Sequence, residues 1–309
     1  MADITASMVK ELRERTQAGM SDCKSALVEA GGDMDKAVEV LLKKGTVKAA
    51  SRAGRVAAEG EVRTWISADA KKGVIVEVNC QTDFVSRGDD FKSFVTGVTE
   101  VASKAKPGTD LLQEKFPGTD KTIDQARTEF IARSGENTIV RRWDVLEAKG
   151  PGGVIHAYVH MGGKLAVLVD AEAPHAHREH TGFRAFIDNA AMQIAAMNPF
   201  VVHKDHVDPA QIEKQKEIFA AQLKEEGKPE AAWPKIIDGK VNKWFTEITL
   251  LGQDSVIDNS KTVDKIRQDL GKELGGDVHV HAFVRYGLGD GIERKTEDLA
   301  AEVAKTIGA

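Results

Sequence analysis

One pattern in this chain occurs twice, and it constrains the fold more than any other feature. Val74-Ile75-Val76-Glu77-Val78-Asn79 is a β-branched run that reads as a strand, and Leu165-Ala166-Val167-Leu168-Val169-Asp170 reads as its counterpart. Each is preceded by a shorter alternating strand and a turn. In the first copy these are Val62, Thr64 and Ile66 with Lys71-Lys72-Gly73; in the second, Val154, Ile155, Ala157 and Val159 with Met161-Gly162-Gly163-Lys164. Each is followed by a helix, with Phe91-Lys92-Ser93-Phe94-Val95 echoed by Phe183-Arg184-Ala185-Phe186-Ile187. Asp89 or Asp90 is the expected cap of the first of these helices. Val76 and Val78 map onto Val167 and Val169 with an offset of 91, and Phe91 onto Phe183 with an offset of 92, a gain of one residue between strand and helix. Further on, Lys121-Thr122-Ile123-Asp124 is echoed by Lys261-Thr262-Val263-Asp264, and the strand-like run 138–143 by 278–284. The duplication predicts an α+β core of two related halves, each a small antiparallel sheet covered by helices.

What flanks and interrupts the repeat reads differently. The first 45 residues predict three short helices. Met8 and Leu12 mark the first. Cys23, Ala26, Leu27 and Ala30 line the second, with Ser21 as its cap and Gly31-Gly32 as its stop. Asp33 starts the third, which places Ala37, Val38, Leu41 and Leu42 inward and ends at Gly45. So small a core suits a docking module better than an enclosed active site. Residues 46–60, rich in Ala, Lys, Arg and Gly, read equally as a linker or as a solvated continuation of the third helix. Residues 203–246 read as two antiparallel helices broken at Gly227-Lys228-Pro229. Ile212, Phe219 and Leu223 form one side of a narrow seam, and Trp233, Ile237, Val241 and Trp244 the other. A last helix is expected at 296–307. The expected organisation is a docking module at 1–55, a first core half at 56–148, and a second at 149–202 and 247–286. The helical hairpin is inserted at 203–246, and a C-terminal module occupies 287–309.

Several function classes find no support. The formal net charge of the 309 residues is −5 and aromatic residues are 6%, a poor match for direct nucleic-acid binding. No apolar run is long enough for a membrane span, and the N-terminus lacks a secretion signal. Two distant cysteines, Cys23 and Cys80, exclude a disulfide scaffold and fit the cytoplasm. Gly163-Lys164 runs into Leu165 and is no phosphate loop, and the stretch 287–291 is no dinucleotide fingerprint. His175, His177 and His180 read as a solvated loop without a metal-ligand set, and His279 and His281 as a partly exposed strand face. No catalytic pair, metal site or cofactor site emerges.

One loop stands apart. The first long strand leads into Cys80-Gln81-Thr82-Asp83-Phe84-Val85-Ser86-Arg87-Gly88, where an aromatic residue sits beside an acid. Either Phe84 tucks into the local core while Asp83 caps a turn, or the pair is a presented anchor of the kind that makes an interface hot spot. The matching loop of the second half reads as longer and histidine-rich.

Two stretches carry a resemblance. Residues 9–27, VKELRERTQAGMSDCKSAL, and residues 77–85, EVNCQTDFV, closely resemble hallmarks of bacterial elongation factor Ts, in the right order and alongside a doubled core. The resemblance implies a ubiquitin-associated-like fold for the helical module and a guanine-nucleotide exchange role toward the GTPase elongation factor Tu, without covalent chemistry or a cofactor. It implies that Thr82, Asp83, Phe84 and Val85 push toward the partner's nucleotide site and help dislodge Mg²⁺. It further implies contacts from Arg13, Met20 and Lys24 of the docking module, from the turn His160-Met161-Gly162-Gly163, and from the C-terminal helix. Pairing of two copies through the core or the helical hairpin is a further implication. The residues alone also leave open a scaffold that binds without affecting nucleotide, whereas an enzyme with a pocket between the halves finds no convergent polar set.

Overall fold

The computed structural model describes residues 4–16 and 18–293. Three helices come first: α1 (Ala6–Thr16), α2 (Met20–Glu29) and α3 (Met34–Arg52). Leu12, Cys23, Ala26, Leu27 and Ala37 fill their small core. Gly31 and Gly32 adopt positive φ (63° and 87°) and end α2, and the Asp33 carboxylate accepts from the Lys36 amide to start α3. Two expectations are corrected here. Ser21 is not the cap of α2, since the helix starts a residue earlier and Gly19 is the cap, without a side-chain bond. α3 does not end at Gly45 but runs through Arg52, so of the two readings of residues 46–60 the helical continuation holds for the first part. The reason is packing on a later helix, α6 (Ile123–Ser134): a Cβ on Gly45 would stand 3.3 Å from the Ala132 Cβ. Close approach between helices offsets the cost of about 1 kcal/mol for glycine in a helix. Leu42, expected inside, is exposed.

The core follows. Strands β1 (Glu59–Ile66), β2 (Lys72–Cys80) and β3 (Thr138–Glu147) form one antiparallel sheet in that order, and β4 (Gly153–His160), β5 (Leu165–Glu172) and β6 (His279–Gly287) form a second. Between β2 and β3 lie a short helix α4 (Asp83–Arg87), α5 (Asp89–Lys104) and α6; between β5 and β6 lie α7 (Thr181–Met197), α8 (Pro209–Glu225), α9 (Trp233–Ile248) and α10 (Val263–Leu274). Val74, Val76, Val78 and Cys80 point to Phe91, Phe94 and Val98 of α5. Val62 and Ile75 point the other way, onto Ile155, Ala166 and Leu168 of the second sheet. The order of layers is therefore helices, sheet, sheet, helices. Both central strands are buried on both faces, which is why they read as nearly continuous apolar runs. Gly73 marks the close approach, since a Cβ there would meet Ile155 Cγ2 at 2.6 Å.

The duplication extends to single bonds. Thr122 and Thr262 cap α6 and α10 with side chains that accept from Gln125 and Lys265 amides. Arg127 pairs with Asp124 and donates to the Thr138 carbonyl; Arg267 pairs with Asp264 and donates to the Val278 carbonyl. Gly135 and Gly275 close the two helices in the left-handed conformation. The third strands β3 and β6 also carry a bulge against their central strands, with Arg141 and His281 the extra residues opposite Glu77/Val78 and Asp170/Ala171. The bulges correct the expected alignment. Val76 faces Trp143 and Val169 faces Phe283, so with β6 lying 140 residues after β3, β5 lies 93 residues after β2, not 91. The connection to the following helix is then not longer in the second half but one residue shorter, because the strands are offset by 93 and the helix starts, Asp89 and Thr181, by 92. Neither Asp89 nor Asp90 caps α5. Gly88 is the cap, and both acids lie in the first turn, where they favour the helix dipole.

Equivalent acids, Glu77 and Asp170, lie buried between the sheets. Glu77 accepts from Arg141 (2.9 Å), Arg142 (2.5 Å), Asn79 (3.1 Å) and the Gly289 amide (2.8 Å). Burial pushes its pKa upward, but the Gly289 amide, the two guanidinium groups and Asn79 overcome this and hold it below the ordinary value. Asp170 keeps the Lys149 amide at 3.3 Å, and burial raises its pKa.

The helical hairpin forms as expected from α8 and α9. Its seam is thin, with Leu223 and Val241 the buried residues of the two helices. The helix expected at 296–307 lies outside the described residues. Among the described residues no helix is long and apolar enough to cross a membrane.

Candidate partner-binding site

The loop that leaves β2 becomes the short helix α4. Thr82 caps it, its hydroxyl accepting from the Val85 amide. One turn of helix turns Val85 inward against the first core, while Phe84 points out and is 86% exposed. Of the two readings left open by the residues, Phe84 tucked into the core is excluded. Asp83 does not cap the turn either; it lies in the first turn of α4, paired with Arg87 at 2.8 Å on the surface. Such a pair contributes at most about 1 kcal/mol, so Asp83 is readily available to another partner.

A short helix with a bare phenyl ring needs an external frame. The loop between α6 and β3 supplies it. Glu136 accepts from the Thr82 amide (2.9 Å) and from the Thr82 hydroxyl (2.6 Å), one bond to each carboxylate oxygen. The Asn137 amide donates to Gln81 Oε1 at 2.9 Å, and the buried Asn137 side chain donates to the carbonyls of Ala53 and Arg55 just beyond α3. Below the loop, the Cys80 thiol donates to the Thr82 carbonyl, 3.2 Å away. Burial first, then the charges of Glu136 and Glu59, push this thiol up to about 12, so it remains protonated and unreactive.

The turn after β4 lies at the same end of the sandwich. Met161, Gly162 and Gly163 all take positive φ, and Met161 is 75% exposed at the tip. The Gly163 carbonyl accepts from the Val62 amide at 2.8 Å, and Lys164 pairs with Glu59 at 2.6 Å. Glu59 lies opposite Cys80 in the β1–β2 ladder, so the tip is pinned beside the strand end from which Phe84 projects. His160 holds the Tyr158 hydroxyl at 3.0 Å. On the helical module Arg13, Met20 and Lys24 are all exposed, with Met20 and Lys24 one turn apart on α2. The structure thus brings Thr82–Val85 and His160–Gly162 to one end of the core, and the bonds of Asn137 tie the exit of the helical module to the same place.

Glu136, Asn137 and Gln81 were not singled out from the sequence. The signal that marks Glu136 is comparison of the two halves: at the 140-residue spacing its counterpart is Gly276.

The remaining polar clusters have local partners. His175 Nδ1 lies 3.0 Å from the Pro151 carbonyl, His180 accepts from the Gly182 amide, and His281 pairs with Glu172 at 3.0 Å. Among the described residues no three His, Cys, Asp or Glu side chains gather as metal ligands. Apolar side chains and the Glu77 cluster fill the interface between the halves, and a cleft of about 560 Å³ lies instead between the helical module and α6.

The family profile described as "Elongation factor TS" matches residues 81–290. Relatives named elongation factor Ts share 44% identity over 307 residues (Clostridium perfringens, 99% of both chains) and 45% over 311 residues (Clostridium botulinum, 99% of both chains). A relative of the same name from a Nitratiruptor species is 47% identical over 304 residues, covering 97% of this chain and 98% of that one.

Proposed function

The chain belongs to the elongation factor Ts family and is a translation elongation factor; from that premise we propose that it binds the GDP form of elongation factor Tu and speeds GDP release. The observation that carries the proposal is the bare phenyl ring of Phe84, presented beside Asp83 on a one-turn helix and held from behind. In the bound nucleotide, Mg²⁺ neutralises phosphate charge and orders the loops around it. A protein that binds the nucleotide-free state more tightly than the GDP state must weaken GDP, and GDP must weaken it in equal measure. Phe84 and Asp83 do this by occupying space and hydrogen-bonding capacity that the metal site needs. The surface of the helical module around Arg13 of α1 and Met20 and Lys24 of α2 docks the factor. The His160-Met161-Gly162 turn engages a second region of the partner, so that strain is applied between two held points. No covalent bond is made or broken by this chain.

The test is release of fluorescent GDP from elongation factor Tu with this chain at substoichiometric concentration. Acceleration with turnover supports an exchange factor. Stable binding with an unchanged release rate would instead identify a scaffold and refute the proposal.

A further inference from the structure

We infer that Glu136 is a positioning residue for nucleotide exchange: its carboxylate clamps Thr82 and thereby sets the direction in which Phe84 and Asp83 are presented. The inference rests on the exchange reading above and goes beyond it, because Glu136 is not itself among the residues assigned to the partner and acts only through Thr82.

The geometry is that of a two-point clamp. The two oxygens of one carboxylate take the amide (2.9 Å) and the hydroxyl (2.6 Å) of the same residue, 54 positions away in sequence. Thr82 is the cap of α4, so fixing both its backbone and its side chain fixes the first turn of that helix. Bonds to an ionised acceptor are shorter and stronger than neutral ones, and two of them to one residue also fix its rotation. A five-residue helix has little stability of its own, so its orientation comes from this clamp and from Val85 packed beneath.

The doubled fold supplies an internal control. The two halves share the helix cap, the Arg–Asp pair, the left-handed glycine and the bulge at a constant spacing of 140 residues, so Gly276 stands where Glu136 does. A Cβ on Gly276 would meet Pro174 Cγ at 2.8 Å: there the connection after the central strand packs directly against the loop, and no carboxylate intervenes. Asp277, the counterpart of buried Asn137, is exposed. The architecture therefore closes without the clamp. The clamp is present in the half that carries the projecting aromatic residue, which assigns it to presentation of that residue rather than to folding.

The experiment uses the full chain with Glu136→Ala, Glu136→Gln, Phe84→Ala and the Glu136→Ala/Phe84→Ala double variant. Each is titrated against elongation factor Tu loaded with fluorescent GDP. Glu136→Ala is expected to lower the saturating release rate about tenfold, with a half-saturating concentration changed less than threefold. Glu136→Gln keeps one acceptor oxygen and is expected to fall between Glu136→Ala and the parent. In the Phe84→Ala background, where only Asp83 is left to position, Glu136→Ala is expected to add no more than about a twofold further loss. Full additivity would assign Glu136 a structural role and overturn the inference. An unchanged saturating rate for Glu136→Ala alongside a reduced rate for Phe84→Ala would overturn the clamp while leaving the exchange reading intact. An unchanged rate for Phe84→Ala would overturn both.

Discussion

Phe84 and Phe91 are seven residues apart, identical in chemistry and opposite in placement, which allows the account to be tested by one pair of truncations. Phe91 is fully buried beneath β2 and packs near Phe130, with ring centroids 6.0 Å apart. Phe91→Ala removes its transfer energy and leaves a cavity, a cost of about 3–5 kcal/mol in folding stability. Phe84 is 86% exposed, so Phe84→Ala is expected to change stability by no more than about 0.5 kcal/mol. Its effect belongs to the complex. Burial of a whole phenylalanine side chain contributes about 1.5–3 kcal/mol. Scaled by the exposed fraction, that leaves about 1.3–2.6 kcal/mol to be realised on insertion, equivalent to a ten- to eighty-fold change in GDP release at about 1.4 kcal/mol per decade. The assays are denaturant unfolding of the free chain and stopped-flow release of fluorescent GDP at saturating factor. A Phe84→Ala variant that melts early, or one that releases GDP at the parent rate, refutes the reasoning. The same arithmetic shows that one ring does not supply an acceleration of many decades by itself; on the proposed mechanism the remainder is expected from docking contacts and the pinned turn.

Three further outcomes follow from the geometry. Glu77→Ala is expected to cost about 3 kcal/mol at neutral pH, since it strands two partly buried guanidinium groups; denaturant melts measure it. The folded-state pKa of Glu77 is depressed, so its contribution is present above the unfolded carboxylate value and is lost as pH falls through the folded value; Glu77→Gln is expected to flatten the acid limb of the stability profile below about pH 4.5. Gly163→Ala places a Cβ 2.7 Å from the Glu61 side chain at a positive φ of 91° and is expected to destabilise the β4–β5 tip by more than 1 kcal/mol, seen as faster amide exchange at Val62.

The duplication, the hairpin and the three-helix module were legible in the sequence because each rests on periodicity or on capping residues that act locally. The offset between the halves was not. Side chains alternate with a period of two, so sliding β5 by two residues against β2 preserves every inward and outward assignment; the bulges decide between 91 and 93, and a bulge has no side-chain signature. The continuation of α3 was half-legible, because the helix meets α6 through small residues such as Gly45 that make no apolar stripe. At the site, composition could not show whether Phe84 faces inward or outward, since an aromatic residue after a buried strand fits either. Glu136 was invisible for a different reason: its bonds join positions 54 apart, and only the fold brings them together. Comparing the halves position by position would have marked it, because matched loops that differ only at certain positions differ there for a cause.

The measurement closest to the central claim varies Mg²⁺ during GDP release from elongation factor Tu. If the acid–aromatic element acts by loosening the partner's metal site, the acceleration given by this chain is large in millimolar Mg²⁺ and shrinks severalfold once the metal is chelated, because the hold it relieves is already gone. Phe84→Ala and Asp83→Ala then show their greatest deficit with Mg²⁺ present. An acceleration of the same size with and without the metal, and the same deficit in both, would contradict the account.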